Sequence, residues 1–140
     1  MTNFTKNFMI AAAALAVAAG GASAQSLKAD IPFAFQVRGK VMAAGTYRVD
    51  QIGSAEIYRF RSDNDGQAVL VLPAAKHDPR KEWQADGSAK LAFECGPTGC
   101  ALSELWDGTG RPSYTFHRPK NVDMGTRIAI VTMRPDNKAD

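Results

Sequence analysis

The residues best equipped for catalysis in this sequence are its two histidines, and each has hydroxyl or acidic neighbours close along the chain. His77 opens the segment His77-Asp78-Pro79-Arg80-Lys81-Glu82, where an imidazole beside carboxylates could act as a general base or hold a metal ion. Pro79 argues against a regular helix there, so no rule places His77 and Glu82 on a common face. His117 ends the run Ser113-Tyr114-Thr115-Phe116-His117, on the strand face of Ser113 and Thr115. A Ser, a His and an acid make a nucleophilic triad only in the right geometry, which spacing does not supply. No Gly-rich phosphate loop, nucleophile elbow or paired zinc motif accompanies them. A surface or strand-end role is therefore the default for each His, and no catalytic residue, metal or other cofactor is expected.

The other reactive pair is Cys95 and Cys100, the only cysteines, which enclose Gly96-Pro97-Thr98-Gly99. Pro and Gly suit a turn between two strands. Strands paired across that turn would bring the two cysteines face to face, at a separation of about 4.5 to 5.5 Å between Cα atoms, inside the range a disulfide needs. A zinc site would require further ligands, and a redox pair would read C-x-x-C at the start of a helix. The expected role is a staple across one hairpin, contributing about 2 kcal/mol in the chain-entropy picture because the closed loop is short.

Oxidation presupposes export, and the N-terminus supplies the signal for it. Lys6 precedes an apolar run from Met9 to Ala19, followed by Gly20, Gly21, Ala22, Ser23 and Ala24, the order of a secretory leader ending in an A-x-A cleavage site. Residues 1–24 are thus predicted to be a signal peptide and residues 25–140 a single β domain, periplasmic or secreted. The apolar run is shorter than the roughly 20 residues that cross a bilayer, so the mature chain is predicted to have no membrane span. Loss of Lys6 lowers the formal charge from +3 to +2, and the remaining basic residues are scattered along the chain. That distribution gives no nucleic-acid footprint, and nucleic acid is not an expected partner.

The elements that must position these residues are read from period-two alternation in short bursts separated by Gly, Asp, Asn and Pro. Ile31, Phe33, Phe35 and Val37 fall on one face of a first strand, interrupted by Pro32. Thr46 to Ile52 and Glu56 to Arg61 follow, with Gly53-Ser54 read as a two-residue turn. Asp63-Asn64-Asp65-Gly66 is a turn by chemistry, and it leads into Val69-Leu70-Val71-Leu72, which is apolar on both faces and is predicted to be a central strand. Ala74 to Gly87 reads as a long loop or short helical turn around a lone Trp83. Strands resume at Lys90 to Cys95, Ala101 to Trp106, Ser113 to His117 and Arg127 to Arg134, with a turn signal at Asp107-Gly108-Thr109-Gly110. The predicted fold is all-β, a small antiparallel β-sandwich or barrel of about eight strands.

Ten aromatics, among them Phe33, Phe35, Tyr47, Tyr58, Phe93 and Trp106, could line a ligand cavity, though a domain of this size needs most of them for its core. Trp83 is the exception, because it lies among charges in the least regular segment. With His77 and His117 it is a candidate contact for a ligand or partner. A membrane-embedded barrel is disfavoured, since its outward faces would carry Arg48, Asp50, Arg59, Lys90 and Glu94.

The segment Ala29-Asp30-Ile31-Pro32-Phe33-Ala34-Phe35-Gln36-Val37, followed by Ala44-Gly45-Thr46-Tyr47-Arg48-Val49, resembles the start of a family of small secreted β proteins common in acidobacterial and other soil-bacterial genomes. Lys90-Leu91-Ala92-Phe93 and Leu102-Ser103-Glu104-Leu105-Trp106 resemble that family's second recurrent block. Ala44 stands where the family usually has Pro, and the Cys95 to Cys100 insert replaces an aromatic-rich turn. The resemblance implies an exported β domain and no particular chemistry. The Gly45-Thr46-Tyr47-Arg48-Val49 piece is also similar to a strand of bacterial Ig-like and transthyretin-like sandwiches. The leading functional expectation is a non-catalytic binding or structural module of the cell envelope, its partner an envelope protein, a polymer or a second copy. The alternatives are a lipocalin-like carrier of a small apolar ligand, and an envelope hydrolase or metal-dependent enzyme using His77 or His117.

Overall fold

Alternating apolar residues build two sheets that bury their facing sides against each other. The computed structural model describes residues 26–108, 110–117 and 127–136; the predicted signal peptide lies outside the described residues, as does Thr109 of the turn after Asp107. Twelve strands and one helix occur among them: β1 (Leu27–Ile31), β2 (Phe35–Val37), β3 (Lys40–Met42), β4 (Gly45–Gln51), β5 (Tyr58–Ser62), β6 (Ala68–Val71), β7 (Ala75–His77), α1 (Lys81–Asp86), β8 (Lys90–Gly96), β9 (Gly99–Trp106), β10 (Ser113–Thr115), β11 (Arg127–Thr132) and β12 (Arg134–Pro135). One sheet has the order β12-β1-β4-β5-β6. The other runs β11-β8-β9-β10-β7, with the β2–β3 hairpin hung on β9. The fold is therefore an all-β sandwich.

The core lies between the sheets. Ala29, Ile31, Tyr47, Val49, Tyr58 and Phe60 point in from the first sheet, and Phe35, Leu91, Phe93, Leu105 and Tyr114 from the second. Phe93 sits at the centre, edge-on to Phe33 at 5.1 Å and to Phe35 at 5.3 Å, and Phe35 is in turn edge-on to Tyr47 at 5.1 Å. These ring geometries place the positive edge of one ring on the negative face of the next.

Several expected elements are cut differently. The run Ile31 to Val37 is not one strand: β1 ends at Ile31 in the first sheet and β2 begins at Phe35 in the second. Pro32, which cannot donate to a ladder, stands where the chain changes sheets. β2 then pairs in parallel with β9, through Phe35 opposite Cys100 and Gln36 opposite Ala101, while the other strand pairs among the described residues are antiparallel. The β4–β5 connection is not a two-residue turn, because β5 starts at Tyr58 and Ile52 N–H reaches Ile57 O at 2.9 Å. Short strands at the sheet crossings raise the total above the expected eight.

The larger correction concerns β6, which is an edge strand and not a central one. Ser62 N–H donates to Gln67 O at 2.8 Å, which sets the phase of the β5–β6 ladder. Phe60 then exchanges hydrogen bonds with Val69, while Ala68 and Leu70 turn their backbone groups away from β5. Val71 is buried, but Leu70 and Leu72 stand 44% and 54% exposed.

The disulfide joins Cys95 to Cys100 across the β8–β9 hairpin, at a register pair with Cα atoms 4.0 Å apart. A β-bulge interrupts the same ladder: Ala92 pairs with Glu104 but Phe93 with Leu102, leaving Ser103 extra. Glu104 and Trp106 consequently face outward, away from the core.

The β2–β3 hairpin turns on Arg38-Gly39, with φ of 53° and 76°. Two positive φ values in a two-residue loop mark a I′ turn, which favours Asn-Gly and strains an Arg. Arg38→Asn is expected to raise stability by about 0.5 kcal/mol, read from the urea midpoint. A lowered midpoint would contradict it.

At the other edge, Arg134 Nη1 donates to Asp30 Oδ2 at 2.5 Å and Thr46 Oγ1 to Asp30 Oδ1 at 2.7 Å. These bonds, Arg134's first, hold the Asp30 carboxyl below its ordinary value of 3.8. A carboxyl depressed by folding stabilises the fold above its unfolded pKa, and that contribution is lost as pH falls through the folded value. With side chains 54% and 61% exposed the pair adds little stability. The Asp30 titration midpoint by NMR is expected below 3.8 and to return toward it in Arg134→Gln; an unmoved midpoint would remove Arg134 as the cause.

Candidate functional site

The polar groups best placed for chemistry gather on the outer face of the second sheet. The stretch from β7 through α1 forms a roof over that face. Lys81–Asp86 is helical because four of its six residues are long or small helix formers and Gly87, at φ 80°, ends it with its N–H on Trp83 O. Trp83 points down from the roof, stacked on Trp106 at 6.4 Å and buried with it over Ala92. Arg80 lies with its guanidinium 5.0 Å from the Trp83 ring centre, and its Nε donates to Glu104 Oε2 at 3.0 Å.

Glu104 is the hub of this cluster. Its Oε1 accepts from Ser113 Oγ at 2.8 Å and lies 3.4 Å from His77 Nε2. A serine, a histidine and a carboxylate thus come together, but in an order unlike a triad. The Ser113 hydroxyl is wholly buried and bonds the carboxylate, not the imidazole. The His77 ring spends Nδ1 on the Asp78 carbonyl at 2.8 Å. In a nucleophilic triad the imidazole must stand between the hydroxyl and the acid. Here the carboxylate stands between them, so the arrangement clasps the roof to β9 and β10 and presents no activated nucleophile.

Two openings reach between the sheets. At one end a cleft of about 660 Å³ has Leu27, Val49, Ala89 and Met133 in its walls and Gln51, Asp107 and Arg111 among its polar groups. Those polar groups hold one another: Tyr58 OH donates to Asp107 Oδ2 at 2.9 Å, Arg111 Nε faces Asp107 Oδ1 at 3.4 Å, and Arg111 Nη2 donates to Gln51 at 3.0 Å. Burial first, then the Asp107 charge, pushes the Tyr58 phenol far above the ordinary range, so it serves there as a donor.

The second opening is on the side of the sandwich flanked by β6. It is a cavity of about 480 Å³ between β6 and the second sheet, lined by Val37, Val71, Leu72, Ala101, Leu102 and Phe116, with Arg38 and His117 among its lining residues. Arg38 Nη1 crosses to the open edge of β6 and donates to Leu70 O at 3.3 Å.

Of the sequence candidates, Cys95 and Cys100 form the staple, Trp83 is 4% exposed and packed in a small second core, and His77 lies against Glu104. His117 is exposed and lines the β6 cavity. The structure does not bring the two histidines into one pocket, since His77 lines a separate, polar cleft. Arg80, Glu104 and Ser113, and Arg38 at the other cavity, were not singled out. The left-handed position of Arg38 before Gly39 has a sequence signal, an X-Gly pair between β-type residues.

Fold and site define an all-β sandwich with a stapled hairpin, a roofed outer face and an apolar cavity beside an open strand edge. No family model matches this chain, and no curated protein or solved structure matches it.

Proposed function

We propose that the protein is an exported, non-catalytic binding or structural module of the cell envelope whose binding surface is the open side of the sandwich beside β6. The observation that carries this is the Ala68-Val69-Leu70-Val71-Leu72 edge, uncharged, with Leu70 and Leu72 exposed. Soluble proteins ordinarily blunt such edges with Lys, Pro or bulges; β6 itself carries none of these, and Arg38, on Leu70 O, is the side chain described across it. The leader-like N-terminus and the disulfide support export. The clasped state of Glu104, Ser113 and His77 favours binding over hydrolysis.

A second reading, a carrier of a small apolar ligand, draws on the β6 cavity, whose volume falls within the roughly 300–1,000 Å³ of small-molecule sites. A photocrosslinking residue placed at Leu70 in the full chain, with Glu82 on the roof as control, tests the choice of surface. Discrete adducts from Leu70 alone in exporting cells are expected. Adducts from Glu82 alone, or from neither, would overturn it.

A further inference from the structure

The β6 cavity combines two chemistries, an apolar interior and the Arg38 guanidinium, with Gln36 and His117 also in its lining. Arg48, Arg59, Arg80, Arg111 and Arg134 each lie against a carboxylate at 2.5 to 3.4 Å. Unlike these five, Arg38 rests its guanidinium on a neutral acceptor, the Leu70 carbonyl, at 3.3 Å. It also occupies a left-handed backbone position, φ 53°, that Asn or Gly would fill with less strain. A side chain kept at conformational cost on the edge of an apolar cavity is an observation that asks for a ligand.

We propose that this cavity binds a free amphiphile bearing a carboxylate and an unbranched apolar chain. The chain lies among Val37, Val71, Leu72, Leu102 and Phe116, and the carboxylate bonds Arg38. A guanidinium offers two parallel N–H donors, which match the two oxygens of a carboxylate. Binding exchanges the weak bond to Leu70 O for a charge-assisted pair, and removes chain methylenes from water. The inference rests on the reading of this side of the sandwich as the binding surface, and it names the ligand's chemistry.

Calorimetric titration of the full chain with hexanoate, octanoate and decanoate, each below its micelle concentration, and with decan-1-ol, tests it. Saturable binding that strengthens about fourfold per methylene is expected until the chain outgrows the cavity. Arg38→Asn, expected to fold at least as stably as the natural chain, should weaken decanoate about tenfold and leave the alcohol within twofold. Alcohol bound as tightly as decanoate, or decanoate unaffected by Arg38→Asn, overturns the carboxylate assignment while leaving the cavity as a site. Absence of saturable binding to any chain overturns the inference altogether, as does adsorption to phosphatidylglycerol vesicles without binding of decanoate. In either case adducts from Leu70 would still uphold the binding surface, so the two failures are distinguishable.

Discussion

Phe93→Ala is expected to cost about 3–5 kcal/mol, a third or more of the stability of a domain this size. Phe93 is fully buried and touches Phe33 and Phe35, and through Phe35 it connects to Tyr47 of the opposite sheet. Truncation removes the ring's transfer free energy and leaves a void that the stapled hairpin limits in collapsing, because Cys95 lies two residues away on β8. Phe93→Leu, which keeps much of the volume, should cost well under half as much. Urea denaturation measures both, with unchanged slope and a lowered midpoint expected. A loss below about 1 kcal/mol for the alanine variant would mean that the sheets do not meet at this cluster.

Glu104→Ala is expected to cost about 2–3 kcal/mol and to loosen the roof. The variant leaves Ser113 Oγ buried with one long contact, to Leu105 O at 3.4 Å, and takes the anion from Arg80 and His77. Arg80 is 40% exposed and recovers hydration, so the cost falls mainly on Ser113 and on the void. With the roof loosened, Trp83 slides from Trp106 and tryptophan emission should shift to the red. Glu104→Gln keeps an acceptor for Ser113 and should cost about 1 kcal/mol. His77→Ala should cost less than about 0.5 kcal/mol, since that side chain is 43% exposed and its contact is 3.4 Å. Equal losses in His77→Ala and Glu104→Ala would show that the imidazole, and not the Arg80 and Ser113 contacts, holds the clasp.

Much of the sandwich was legible because burial imposes period two. Tyr47 with Val49 and Tyr58 with Phe60 point inward as the alternation requires, and the Cys95 to Cys100 turn follows from its Gly and Pro. The break after Ile31 was hidden for the same reason: Ile31 and Phe35 point into one core from different sheets, so the alternation continues across the crossing. Val69 to Leu72 read as central because apolar residues on both faces ordinarily mean burial on both. Its edge position is a property of the other strands, and Leu70 carries no local mark of exposure. The six residues of α1 are too few to show a helical period.

The polar cluster was the least legible part. His77, Arg80, Glu104 and Ser113 come from β7, the α1 approach, β9 and β10, and only the bulge at Ser103 together with the β9–β10 and β10–β7 pairings brings them together. Trp83 stood out among its charged neighbours as an exception to core packing, and the structure instead buries it. Its explanation lies in Trp106, a partner distant in sequence.

The most direct measurement is native mass spectrometry of the full chain recovered from cells that export it, compared with Leu70→Asp prepared in the same way. Leu70 is 44% exposed, so the substitution should leave the fold intact while placing a charge on the open edge. The expected spectrum of the natural chain shows a protein beginning at Gln25 with its disulfide closed and a fraction carrying a bound partner protein, a fraction that Leu70→Asp loses. Identical spectra for the two, whether bare or equally loaded, would contradict the assignment of binding to the open side of the sandwich.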